Sequence, residues 1–113
     1  MPHEKEKYLA DMASAIQRIE RFVEGQGFAE YQADELLRSG VERQFEIIGE
    51  ALTQLQKIAP EVAEQIPEYQ RIIAFRNLLI HAYGEVDDRI VWGIVEGKLA
   101  ALKEAIEALL HDH

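Results

Sequence analysis

The stretch Leu37–Leu55, LRSGVERQFEIIGEALTQL, sets Leu37, Val41, Phe45, Ile48, Leu52 and Leu55 at steps of three and four. A helix completes a turn in about 3.6 residues, so this spacing gathers all six side chains on one face. The helix closes near Ala59-Pro60, because a residue that precedes proline is pushed out of the helical region. Working toward the N-terminus, Leu9, Met12, Ile16, Ile19 and Val23 repeat the pattern and predict a helix over about residues 4–24. Gly25-Gln26-Gly27 supplies the permissive backbone that a helix C-terminus uses. Phe28 to Tyr31 reads as a connector of about one helical turn.

Toward the C-terminus, Glu61 to Ile66 reads as a further short turn, and Pro67 suits the start of a third long helix, where a missing N–H costs little. That helix is expected from about Pro67 to Ala82, with Gly84 as its breaker. Asp87 or Asp88 caps a last helix whose stripe is Val91, Val95, Leu99, Leu102, Ile106 and Leu109. His111-Asp112-His113 reads as a solvated tail. No stretch alternates with a period of two, and hairpin turn dipeptides are absent. The expected fold is therefore all-α: one domain over residues 1–113, with four main helices in an antiparallel up-down bundle and one or two short extra helices.

Three glycines sit where helix is expected: Gly49 in the second long helix, Gly93 and Gly97 one turn apart in the last. Each costs roughly 1 kcal/mol against alanine inside a helix. Close helix crossing is the usual compensation, either within the monomer or at a dimer interface.

A chain of 113 residues is long enough to bury roughly 65% of its unfolded surface. It has no cysteine, so neither disulfides nor thiolate metal sites hold it together. No apolar run reaches the roughly 18 residues that span a bilayer, and the opening Met-Pro-His-Glu-Lys-Glu-Lys lacks a secretory core. The expectation is a soluble, cytoplasmic protein with no membrane partner. Its net charge of −9 disfavours long, nonspecific engagement of a nucleic-acid backbone. Yet no carboxylate lies between Glu68 and Glu85, and Arg71, Arg76 and His81 all fall within that gap. A local positive spot on an acidic body admits a phosphate; a buried helix that excludes acids gives the same pattern.

Arg76-Asn77-Leu78-Leu79-Ile80-His81-Ala82-Tyr83 concentrates polar chemistry in an apolar segment, which reads as a buried helix. Buried polar groups must be paired, so the cluster is either a structural hydrogen-bond network or a site that handles phosphate. Asn77 and His81 lie one turn apart on the same face, whereas Arg76 and His81 are separated by about 140° around the axis. An arginine fork matches a phosphate and keeps its charge. A histidine, with an ordinary pKa near roughly 6.5, takes and returns a proton at neutral pH. Together with an orienting amide these are sufficient parts for RNA cleavage without a metal or other cofactor. Acid–base cleavage needs two proton-transfer groups, however, and the chain has one internal histidine. A two-fold dimer that paired His81 with its symmetry mate would supply the second. Glu46 and Glu50, one turn apart, either pair with Arg43 or face a cleft, and the favoured reading is an ion pair at the surface or an interface.

The segment resembles the R-x4-H-x-Y motif of HEPN-domain proteins, specifically the HepT family of minimal toxins, with Arg76, Asn77, His81 and Tyr83 in its positions. The likeness extends to Glu42-Arg43 and Glu46-Ile47-Ile48-Gly49-Glu50-Ala51 in the second long helix. It continues in Ile66-Pro67 ahead of Ile73-Ala74-Phe75-Arg76-Asn77, and in Val91-Trp92 near the start of the last helix, covering about residues 5–110. One departure is Glu68-Tyr69, where the family often carries a tryptophan just after Ile-Pro. The resemblance implies an all-α homodimer whose two motifs line a cleft. It implies an endoribonuclease toxin with Arg76 and His81 catalytic and Asn77 in support. It also implies an MntA-type nucleotidyltransferase antitoxin that silences the toxin by attaching AMP to Tyr83. The competing reading is a non-catalytic helical dimer that binds such a nucleotidyltransferase. A third is a helical domain in which Arg76 only grips the phosphate of a bound nucleotide.

Overall fold

A computed structural model describes residues 4–82 and 86–111, and among these residues there are helices and no strands. The helices run in the order α1 (Glu4–Val23), α2 (Phe28–Ala33), α3 (Glu35–Ile58), α4 (Pro60–Ala63), α5 (Tyr69–His81), α6 (Asp88–Gly97) and α7 (Leu99–His111). The all-α expectation holds. None of the helices is long and apolar enough to cross a membrane.

Local chemistry sets the boundaries. Gly25 takes a left-handed φ of 74°, which glycine adopts without a Cβ clash, and ends α1. The Glu30 carboxylate accepts from the Gly27 N–H at 2.6 Å and starts α2. Asp34 caps α3 by accepting from the Leu37 N–H at 3.0 Å, and Asp87 caps α6 by accepting from the Arg89 N–H at 2.9 Å. Pro60 opens α4 from the first helical turn.

α3 is the spine. It packs against α1, α2, α4 and α5, while α7 lies on α1 and α6 touches both α2 and α7. The apolar stripes meet in one core. Leu9, Met12, Ile16 and Ile19 of α1 are fully buried with Val41, Ile48, Leu52 and Leu55 of α3 and Ile106 of α7. Each such aliphatic side chain contributes roughly 1.5–3 kcal/mol when removed from water, so this seam dominates stability. Tyr31 and Trp92 close one end with ring centroids 5.2 Å apart.

Three expectations need correction. The last helix is not continuous: α6 stops at Gly97, Lys98 leaves helical geometry with φ −126°, and α7 begins at Leu99. Glycine at the joint holds the backbone weakly to helix, and Lys98 turns its ammonium to Glu68 Oε2 at 2.7 Å. α5 begins at Tyr69 rather than Pro67, because Glu68 before it adopts a left-handed φ of 55°. Finally, the segment around Arg76 is not a buried helix. In α5 only Leu79 is buried, whereas Asn77, Leu78, Ile80 and His81 are exposed. α5 packs chiefly on α3, through one face, and its far face meets solvent. At the chain's end α7 includes His111, and Asp112 and His113 lie outside the described residues.

Candidate functional site

Arg76 leaves α5 on the side that faces α3 and lies directly over Gly49. A Cβ built on Gly49 would stand 2.2 Å from Arg76 Cβ and 2.6 Å from Cγ, so only glycine leaves room. This close crossing is the compensation expected for a mid-helix glycine. Gly93 and Gly97 differ: among the described residues a Cβ at either meets nothing within 4 Å, so no tight crossing between the described helices explains them.

Laid across α3, the Arg76 guanidinium reaches the next residue of that helix. Its Nη2 forms an ion pair with Glu50 Oε2, and its Nη1 donates to Asn77 Oδ1 at 2.9 Å. Glu50 Oε1 in turn accepts from Gln54 Nε2 at 3.3 Å. A chain Gln54–Glu50–Arg76–Asn77 thus links α3 to α5. The Arg76 side chain keeps 26% of its exposure and that of Glu50 keeps 50%. Arg76 Nε is buried and has no hydrogen-bond partner among the described residues. Arg43 holds Glu46 at 3.2 Å, the surface pair expected from their spacing, so the two glutamates have separate tasks.

The residues singled out by sequence divide accordingly. Arg76 and Asn77 touch through their side chains. His81 is exposed at the end of α5, and among the described residues its side chain has no hydrogen-bond partner. Tyr83 lies outside the described residues. The partner that Arg76 finds in Glu50 was not legible, since the two are 26 residues apart and no periodicity links them. The Gly49-Glu50 pair inside a helix was the available signal.

Magnitudes weigh the structural explanation of this cluster against a chemical one. A half-exposed ion pair returns about 0.2–1 kcal/mol. An unpaired buried donor costs about 1–3 kcal/mol, and a mid-helix glycine roughly 1 kcal/mol more. As a stability device the cluster returns less than it costs. Chemically, it is a planar donor fork held at a half-open surface, with an exposed imidazole five residues farther along the same helix, and suited to gripping an anion.

Two cavities lie elsewhere. A mainly apolar groove of about 380 Å³ opens between α5 and the α6–α7 joint over Phe45 and Phe75, whose rings meet edge to face at 5.5 Å. A polar cavity of about 380 Å³ lies among Glu35, Arg38, Glu42 and Asp88. Burial, and then the charge of Asp88, push the Glu42 carboxyl above the usual carboxylate range. Burial likewise pushes the Tyr31 phenol up.

The family model described as "Ribonuclease HepT-like" matches residues 12–109, nearly the whole chain. The chain belongs to the HepT-like ribonuclease family. Among its relatives is "Probable ribonuclease HepT" of Thermococcus cleftensis, 34% identical over 109 residues, covering 96% of this chain and 98% of that one. A Caldanaerobacter subterraneus subsp. tengcongensis protein named as a "Putative RNase" is 34% identical over 92 residues, 81% of this chain and 80% of its own. Another so named, from Methanocaldococcus jannaschii, is 27% identical over 100 residues, 88% and 91% of the two chains. No solved structure matches this chain.

Proposed function

We propose that this HepT-like chain is a metal-independent endoribonuclease and the toxin of a type VII-like HepT/MntA toxin–antitoxin system. The observation that carries the reading is the Arg76 fork, held by Asn77 and Glu50 at the surface of α5, with His81 exposed farther along the same helix. His81 deprotonates the 2′-hydroxyl of RNA or protonates the departing 5′-oxygen, and Arg76 neutralises charge that gathers on the phosphoryl oxygens. Asn77 orients the fork. Since one protomer offers one such imidazole, the working unit is a homodimer in the cytoplasm whose cleft combines two motifs. The uncovered face of α5, with Leu78 at 47% and Ile80 at 37% exposure, supports such pairing.

Silencing follows the same chemistry. An MntA-like nucleotidyltransferase that transfers AMP from ATP to the Tyr83 hydroxyl, with release of pyrophosphate, adds a phosphate to the motif that carries Arg76, and that added charge competes with RNA. Arg76→Ala and His81→Ala, each folded by circular dichroism, are expected to lose RNA cleavage by at least about a hundredfold. Retention of wild-type cleavage in both sinks the proposal.

The −9 charge and the carboxylate on Arg76 favour a second reading, a non-catalytic helical dimer that binds the nucleotidyltransferase. Expression of this chain alone separates the two: the nuclease arrests growth, and the binding module does not.

A further inference from the structure

We propose that Glu50 is a positioning residue for Arg76 and also a built-in competitor that an incoming phosphate must displace. This rests on the reading of Arg76 as the anion grip of the site. The geometry supplies both halves. Gly49 lets the Arg76 side chain lie flat on α3, which delivers the guanidinium to Glu50, the next residue of the same helix. One edge of the fork is fixed by Asn77 and another by Glu50, so the resting arginine is aimed but neutralised.

The carboxylate is also free to leave. Half of its surface faces solvent, and Gln54 Nε2, 3.3 Å from its other oxygen, offers a holding partner one turn along α3. A phosphate that takes the place of Glu50 keeps a charge-assisted bond on Nη2, so the exchange swaps one anion for another. Loose anions gain little from that swap. An RNA strand held by additional contacts gains enough to complete it. Glu50 therefore sets a threshold for which anions the site accepts.

The test separates charge from contact. In ¹⁵N-labelled protein the buried Arg76 Nε–H is the reporter, titrated with inorganic phosphate in wild type, Glu50→Gln and Glu50→Asp. Steady-state cleavage of a labelled RNA runs beside it. Glu50→Gln keeps a hydrogen-bonding oxygen without the charge. Phosphate is expected to bind it about three- to fivefold tighter, with KM for RNA lower by the same factor and kcat within about twofold. Glu50→Asp keeps the charge but draws it back from the fork, so KM falls and kcat drops about tenfold as the arginine loses its anchor. A residue that merely stabilises the fold changes melting temperature and leaves both phosphate affinity and KM untouched. Unchanged phosphate affinity and KM in both variants overturns the proposal, as does weaker binding. If wild type cuts no RNA while Glu50→Gln still binds phosphate more tightly, the nuclease reading fails and the role of Glu50 stands.

Discussion

Gly49 and Arg76 act as one unit at the residue scale. The nearest neighbour of a Cβ at Gly49 is Arg76 Cβ, tied to the α5 backbone and unable to swing aside. Gly49→Ala is therefore expected to part α3 from α5, lower stability by about 1–3 kcal/mol in denaturant titration, and abolish cleavage together with it. Glu42 offers a pH signature. An acid whose pKa rises on folding binds more protons folded than unfolded, so stability falls as pH climbs through the raised value. Below the ordinary glutamate pKa of roughly 4.3 both states are protonated and the penalty vanishes. Glu42→Gln should melt higher than wild type at neutral pH and lose that advantage below about pH 4, as thermal scans across pH will show. Arg76, Asn77 and His81 stood out in the sequence because polar groups are conspicuous among aliphatic ones. Glu50 did not, because an ion pair between helices leaves no mark in the spacing of either helix.

Among the elements, the legible helices are those whose stripes bury fully. α1 and α3 carry apolar residues at steps of three and four, and the structure buries Leu9, Met12, Ile16, Val41, Ile48 and Leu52 as that spacing requires. α5 misled for a physical reason. Its aliphatic content pointed to burial on every side, yet it packs chiefly on α3, so Leu78 and Ile80 meet water. The apolar stripe of the last helix runs in register across α6 and α7, which hides the joint at Lys98. Caps were legible, and Asp87 proved to be the residue that starts α6. Asp87→Ala should cost about 1 kcal/mol, read as a lower urea midpoint with an unchanged slope, because an N-terminal donor of α6 loses its acceptor.

For the whole molecule, an acidic body of net charge −9 carries the Arg76 fork on a helix whose outer face meets solvent. Self-association through that face would hide Leu78 and bring a second His81 to the site. Leu78→Asp is expected to shift the sedimentation coefficient from dimer to monomer and to remove cleavage while α1 and α3 keep their helicity. The most direct test is cleavage of labelled RNA in EDTA by the purified protein, with Tyr83 shown unmodified by intact mass, beside His81→Ala. Cleavage by the wild type and none by the variant is the expected result; no cleavage by either, or equal cleavage by both, contradicts it.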